Sequence, residues 1–447
     1  MSSHKRKLVL IIALGSYLLT ALDNSLVLTT LTKIQVDLSL NQTMLSWIQD
    51  SYALAFGSFI LLSGRLGDLY GRRIMMIIAL SLFAVSSIVT GISTIGIVAV
   101  ISRFIQGIGA AILAPTSLAV LVDYFTEPLL SKAIAWYSSI AGLGMSIGLI
   151  LGGVLTNFLN WRIGFYFNAI IAFGILILSI FTLQNKNLER EDSKLDYFGS
   201  IISIVGSSLL VYSVNGARNF MPVFLVSLLF IILFILVERK IENPILPLIL
   251  MKNKIRFFVI LSRAFLVAAA MGFYFFVSEY LQEVLHYTPL MAGIAYLPMT
   301  VSLFVVAIIV PNLVKKYGNQ VILVLGSIVI MFAFTWIVIF NSGNYLRTLL
   351  IPEILLGIGQ GLALAPETSL AIYHVKHQDA GAVSGILNMF HQLGGALGIA
   401  IMVQVGIKFD RTHLIVNQFY LAMIVGLIIA ILLIIDVLLL ISFKEKG

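Results

Sequence analysis

No cysteine occurs in this chain, which excludes disulfides and thiolate metal sites and carries no further meaning. Charge is scarce as well: 11% of the 447 residues are Asp, Glu, Lys or Arg, against 60% hydrophobic. A water-soluble surface needs far more charge than that, and too few residues lie outside apolar runs to build a soluble domain of useful size. There is no phosphate-cradling GxxxxGK-S/T loop, so ATP drives nothing from within this chain. No serine sits in a nucleophile-elbow sequence. The histidines (His4, His286, His374, His377, His391 and His413) lack metal-ligand spacing. Enzyme chemistry, metals and cofactors are not expected.

What is present is apolar length. Runs of about 20 residues each suffice to cross a hydrocarbon core of about 30 Å as a helix, which satisfies its own backbone in lipid. Fourteen spans are expected, near 8–32, 44–64, 74–92, 97–122, 133–157, 163–183, 196–216, 220–238, 256–282, 289–312, 319–341, 347–372, 380–406 and 417–442. The first continues from Leu8 to about Thr32 with no small-residue cleavage site, so it reads as a retained span. With both termini cytoplasmic, the inner loops and termini hold 20 of the 28 Lys and Arg and the outer loops six; Arg103 and Arg263 fall inside spans. That asymmetry follows the positive-inside rule and would fail for an odd count. The net charge of +8 therefore concerns orientation, and nucleic acid is not an expected partner.

The chain also repeats itself. Gly107-Ile108-Gly109, followed by Pro115-Thr116-Ser117, returns as Gly357-Ile358-Gly359, followed by Pro366-Glu367-Thr368-Ser369, an offset of 357 − 107 = 250 for the first glycines. The turn Tyr70-Gly71 returns as Tyr317-Gly318, 318 − 71 = 247 residues on, and the glycines around Gly148 return around Gly394, Gly395 and Gly398. In each pair the second member lies eight spans after the first. The expected organisation is an N-terminal six-helix bundle in 1–185, a linker with two additional spans in 186–250, and a C-terminal six-helix bundle in 251–447. Eight is even, so the halves run the same way, and such parallel repeats are one design for alternating-access transporters.

These motifs carry a resemblance. Gly64-Arg65-Leu66-Gly67-Asp68-Leu69-Tyr70-Gly71-Arg72-Arg73 closely resembles the signature between helices 2 and 3 of the major facilitator superfamily, and Arg103, Gln106, Gly107 and Gly109 resemble its second signature. Leu22-Asp23, Trp47, Asp50, Asn160-Trp161-Arg162, Phe165-Tyr166-Phe167-Asn168, Leu387-Asn388 and Gln392-Leu393-Gly394-Gly395 are similar to the fourteen-helix drug:proton antiporters within it. The resemblance covers essentially the whole chain. Two positions depart from the subgroup's pattern: Leu149 stands where it has proline, and His391 where it often has arginine. The resemblance implies an all-α integral membrane protein with the major facilitator fold, its two six-helix bundles and two inserted helices making fourteen transmembrane helices. It also implies a gating role for Gly64, Asp68, Gly71 and Arg72 on the inner face, where charges could break and re-form as a cavity opens.

Five acids, Asp23, Asp50, Glu279, Glu367 and Asp436, lie inside spans. Each costs roughly 2.5–3.5 kcal/mol at the bilayer centre on insertion scales, so such groups usually move protons, ions or solutes. Burial favours the protonated form of a carboxylate and a nearby arginine the ionised one. Asp23 is the leading candidate for proton and cation coupling, followed by Asp50 and Glu279, with Arg103 as tuning partner; their similar depths predict one polar cluster. The rival for Asp23 is a static ion pair with Arg103. Glu367, just after Pro366, is either a second proton site or a structural pair, and Asp436 a packing contact or a carboxylate reaching the inner interface. Glycines 144, 148 and 152 share one helix face (Gly144, Gly148, Gly152) and admit a neighbouring backbone. Candidate cavity walls are Gln49, Tyr52 and Phe56 on one face, Asn388, His391 and Gln392 on another, and Phe276 near Glu279; aromatic faces attract organic cations.

The expectation is a monomeric bacterial plasma-membrane exporter, coupling inward proton flow to efflux of lipophilic, mostly cationic drugs or dyes, with membrane lipids as its surroundings. A substrate-specific symporter or metabolite exporter is the alternative within transport, and a non-transporting receptor or scaffold the alternative outside it.

Overall fold

A computed structural model describes residues 3–126, 129–184, 196–214, 220–241, 248–340, 343–373, 375, 380–409 and 415–442. His374, His377, His413 and the basic residues at 186, 190, 194, 218, 376, 411, 444 and 446 lie outside them, as do the side chains of His4, Arg65, Asp68 and Lys132. All regular structure among the described residues is helical. In chain order the helices are α1 (Ser3–Asp37), α2 (Gln42–Tyr70), α3 (Arg72–Ile92), α4 (Gly96–Tyr124), α5 (Leu129–Phe158), α6 (Trp161–Thr182), α7 (Tyr197–Val214) and α8 (Phe220–Glu238). They continue with α9 (Leu248–Met251), α10 (Lys254–Glu279), α11 (Pro289–Ala295), α12 (Leu297–Tyr317), α13 (Asn319–Ile339), α14 (Ile351–Ile372), α15 (Ala380–Phe409) and α16 (Ile415–Ser442). Single π-helical turns extend α10 (Tyr280–Val284) and precede α14 (Leu346–Leu350). Each of the fourteen apolar segments coincides with a helical stretch, and eleven of the described helices are long and apolar enough to cross a membrane.

The breaks between helices follow local chemistry. Asn41, Asn160, Asn253 and Thr288 each cap a helix start, their side-chain oxygens accepting from the amides of Met44, Arg162, Arg256 and Met291. Gly71 ends α2 at φ 92°, ψ 144°, and Gly318 ends α12 at φ 83°, ψ 158°, a left-handed corner that glycine alone takes without strain. The two glycines paired by the sequence repeat thus make the same turn.

The repeat extends to packing. A Cβ on Gly107 of α4 would collide with the Tyr52 carbonyl of α2, and one on Gly357 of α14 with the Met299 carbonyl of α12. Gly109 meets Ala79 and Phe83 of α3, as Gly359 meets Gly326 and Ile330 of α13. Gly144, Gly148 and Gly152 of α5 lie on the backbone of α1 at Leu18, Leu22 and Leu26, and Gly394 and Gly398 of α15 on α10 at Ala264 and Ala268. Helices α1–α6 thereby form one packed set, and α10–α16 a second with matching crossings. Close approach of this kind holds helices together in lipid, where burying apolar surface gives no driving force.

Two ends of the molecule are distinguished by their turns: the Gln42 end, where α1 gives way to α2, and the Gly71 end, where α2 gives way to α3. The sets meet along α2 and α15, where Gly57 lies against Met389, Gln392 and Leu393. They also meet at the Gln42 end through α1, α5, α10 and α11. There Gly153 abuts the Pro289 carbonyl and Gly293 the Leu149 carbonyl, a reciprocal glycine contact between sets. Helix α7 packs on α8 and lies over the α2–α15 seam: Ser58 and Ser207 hydroxyls are 2.7 Å apart, and Trp47 stands 6.3 Å from Tyr212.

Candidate functional site

The fully buried Asp23 sits on α1 where the glycine face of α5 allows closest approach: Gly148 abuts Leu22. Arg103 of α4 donates through Nη1 to Asp23 Oδ2 at 2.6 Å, with neither side chain exposed. Gln106 Nε2 and Asn168 Nδ2 of α6 donate to Asp23 Oδ1 at 2.9 and 2.7 Å. Arg103 Nη1 also reaches Gln106 Oε1 (2.7 Å), its Nε donates to the Ile48 carbonyl (3.2 Å), and its guanidinium lies 4.4 Å from the Tyr52 ring. Gln106 closes the network on Ser87 Oγ at 2.8 Å. A buried charge is tolerable when it is paired and its remaining lone pairs are filled. The spacing Arg103–Gln106, one helical turn on α4, puts both donors on Asp23.

The expected single cluster is instead three separate places. Asp50 is fully buried, and the donors to Asp23 described above are Arg103, Gln106 and Asn168. Three and four residues from Trp47 and Leu54, it shares the α2 face directed at α7 and α15, whereas Gln49 bonds Asn24 and Tyr52 bonds the Thr20 carbonyl on α1. One residue of rotation, about 100°, separates the faces. Glu279 lies at the Gln42 end, accepting from Gln42 Nε2 at 2.8 and 2.7 Å through its two oxygens, a bond between sets. Thr32 donates to Gln282 at 2.6 Å, and Ser278 to the Leu28 carbonyl, in the same layer.

A fourth place, outside the expected cluster, lies toward the Gly71 end. Glu367 of α14 is fully buried and paired with Arg263 of α10, Nε to Oε2 at 2.8 Å, while Ser262 donates to Glu367 Oε1 at 3.0 Å. Arg263 Nη2 also donates to Thr368 Oγ1 (2.8 Å) and the Leu364 carbonyl (3.0 Å). His391 of α15 and Tyr17 of α1 lie within electrostatic reach of this arginine, and Tyr17 stacks on Tyr137 of α5 at 4.0 Å. Residues of both sets thus surround one ion pair. Asp436 is buried at 4% exposure within electrostatic reach of Glu367.

Of the expected wall residues, Asn388 is exposed and His391 and Gln392 half-buried, while Tyr52, Phe56 and Phe276 are buried in side-chain packing. Phe276 lies against Phe275, and Tyr52 against Phe56 and Arg103. Of the turn motif, Gly71 makes the corner described above, Arg72 Nη1 folds back over Gly67, and Gly64 has open space beside it; the Asp68 side chain lies outside what is described. Sequence reasoning missed Arg263 as the partner of Glu367, Tyr17 and Tyr137 beside it, and Glu353, a fully buried acid at the start of α14. Arg263 carried a usable signal: an arginine within a span is as costly as an acid and seeks one.

Comparison with known proteins adds ancestry to geometry. Puromycin resistance protein pur8 of Streptomyces alboniger is 30% identical over 409 residues, covering 88% of this chain and 80% of that protein. Multidrug resistance protein Stp of Mycobacterium tuberculosis is 30% identical over 408 residues, 89% of this chain and 76% of that one. In fold, a bacterial homologue of the human lysosomal transporter Spinster, solved in an inward-facing and unoccupied conformation, superposes with a TM-score of 0.73 at 14% identity, over 98% of each chain. The sequence pattern of the Major Facilitator Superfamily matches residues 13–399. With that pattern over most of its length and that fold over nearly all of it, the chain is a multi-pass membrane protein belonging to the Major Facilitator Superfamily of transporters.

Proposed function

We propose that this chain is a proton-coupled exporter of lipophilic, mostly cationic compounds in a bacterial plasma membrane. It acts as a monomer, with fourteen crossings and both termini and the Gly71 end in the cytoplasm. The single observation that carries the reading is the Asp23–Arg103 pair, sealed by Gln106 and Asn168 away from solvent. A proton delivered to Asp23 cancels its charge and leaves Arg103 without its counter-ion, so the two protonation states favour different packings of α1 against α4. The resistance and export names of the relatives support the direction of transport.

In this reading the two packed sets, 1–185 and 251–447, rock about the α2–α15 contact, with 186–250 carried along the seam. The layer of Glu279–Gln42, Thr32–Gln282 and Gly153–Gly293 contacts holds the outer end shut while the cytoplasmic end is open. The compound is met by Glu367, His391, Arg263, Tyr17 and Tyr137, aromatic faces beside an acid being suited to an organic cation. Asp50 serves as a further proton site beside α7. The Arg263–Glu367 pair also favours a second reading, export of dipolar or zwitterionic compounds, because Glu367 brings its own counter-ion.

Purified protein in liposomes, loaded with a fluorescent lipophilic cation, tests the first reading. An imposed proton gradient is expected to drive dye movement against its concentration, and Asp23→Asn to abolish the drive while leaving downhill flux. Dye movement indifferent to the gradient in the unaltered protein would rule the reading out.

A further inference from the structure

Just outside the layer that closes the Gln42 end, a cleft of about 380 Å³ lies between the two sets. That volume is in the range of small-molecule sites. The closing layer is its floor, since Thr32 and Gln282, which bond at 2.6 Å, both line it. One wall belongs to the first set, with Lys33 of α1 and Thr156 and Asn157 of α5. The other belongs to the second set, with Glu283 and His286 from the stretch between α10 and α11.

The two walls carry opposite charge and leave it unmatched. Lys33 and Glu283 line the same space from different sets, and neither forms an ion pair with a described residue. Asp37, one turn along α1 from Lys33, is instead taken by Arg162 at 2.9 Å and by the Trp161 indole at 2.8 Å. The cleft also holds a buried hydroxyl with nothing to bond. Thr156 is 8% exposed, and its Oγ1 has no hydrogen-bond partner among the described residues, a costly state for a buried polar atom unless a ligand or water completes it. Hydroxyls and amides prevail over apolar side chains here, in contrast to the stacked tyrosines near Glu367. A lipophilic cation gains little from such walls and is repelled by Lys33. The molecule that complements them has a cationic end for Glu283, an anionic end for Lys33, and a polar middle for Thr156 and Asn157.

We propose that this cleft binds a small zwitterion from outside, its ammonium against Glu283 and its carboxylate or phosphate against Lys33, and that the occupant clamps the Gln42 end shut. A molecule bound in this way touches both sets and loses one wall when they part. It therefore binds the closed form better than the open one and shifts the balance toward it. The effect on export rests on the reading of the chain as an exporter; the binding itself does not. A free amino acid and a phosphatidylethanolamine headgroup offer the same chemistry.

The test follows the unfolding midpoint of the full chain in detergent against 4-aminobutyrate, 6-aminohexanoate and glycylglycine, zwitterions of differing charge separation, beside hexylamine and hexanoate. At least one zwitterion is expected to raise the midpoint saturably, and neither singly charged molecule to match it. Lys33 and Glu283 are exposed, so Lys33→Gln and Glu283→Gln are expected to fold, each needing about 2–12-fold more zwitterion for the same response. If one does not fold, the other decides. Thr156→Val is expected to keep or raise the midpoint without zwitterion while weakening the response, a split that a purely structural hydroxyl would not give. General exclusion of solutes from protein surfaces acts on the variants as on the unaltered chain, so a response undiminished in a folded Lys33→Gln or Glu283→Gln overturns the proposal. No response to any zwitterion, or an equal one to hexylamine or hexanoate, overturns it also. In phosphatidylglycerol liposomes, the saturating zwitterion added outside must slow dye export; binding with undiminished export overturns the clamp. Phosphatidylethanolamine added to those liposomes either abolishes the zwitterion's effect, which upholds the site with a lipid headgroup as occupant, or leaves it, which upholds the site with a free solute. If the unaltered protein moves no dye, the exporter reading fails, and the midpoint measurements still decide this inference.

Discussion

Glu279 of α10 receives both of its hydrogen bonds from the one side-chain nitrogen of Gln42 of α2, at 2.8 and 2.7 Å, and so ties the two helical sets together at one end. A side-chain hydrogen bond contributes about 0.5–1.5 kcal/mol net. Gln42→Ala is therefore expected to shift the balance toward the form open at that end by about 2–12-fold. Spin labels at the exposed positions Val36 and Ile294 would report it as a longer-distance population; an unchanged distance distribution would show that the bond does not hold the sets closed.

The glycines divide by what lies beside them. Gly148→Ala drives a Cβ into the Leu22 carbonyl and is expected to destabilise the protein by about 1–3 kcal/mol, read as a lower unfolding midpoint in detergent. Gly153→Ala meets the Pro289 carbonyl of the other set, so it should open the Gln42 end in the same spin-label measurement. Gly174 has nothing within 4 Å, and Gly174→Ala, in mid-α6, should raise stability by about 0.5–1 kcal/mol.

Removing one partner of a buried ion pair leaves the other uncompensated, at about 3–5 kcal/mol. Arg103→Met is expected to cost that much, and Asp23→Asn somewhat less because Gln106 and Asn168 remain as partners. The double variant Asp23→Asn with Arg103→Met should recover a large part of the loss in chemical unfolding, with a coupling of about 0.5–3 kcal/mol, while gradient-driven transport stays absent. Additive losses would show the two residues to be energetically independent.

If the stacked Tyr17 and Tyr137 present an aromatic face to the solute, replacing either by alanine removes about 0.5–2 kcal/mol of attraction for an organic cation. Dye titration by fluorescence polarisation should show a weaker affinity of about 2–30-fold for cations and little change for an uncharged analogue.

The element order was legible because apolar length and the basic loops are one-dimensional signals; the helical stretches match the expected spans to within a few residues. The Asp23–Arg103 pair was legible too, since a buried acid and a buried arginine at similar depth leave each other few alternatives. Where Asp50 points was not, because depth along a helix says nothing of its rotation about the axis, and one residue separates the face toward α1 from that toward α7. Tyr17 and Tyr137 carry no sequence signal, as aromatic residues are ordinary in membrane helices and their stacking is decided by a crossing between α1 and α5. Glu353 was hidden by its place in the first turn of a span, where an acid reads as routine compensation of the helix dipole. Only the tertiary structure shows that it is sealed among tyrosines.

The most direct measurement is the number of protons moved per dye molecule by Asp23→Asn in sealed liposomes of known orientation, beside the unaltered protein. Loss of gradient-driven transport with dye binding retained is the predicted result. Full proton-driven transport by a folded Asp23→Asn would contradict the account, whatever the geometry around Arg103.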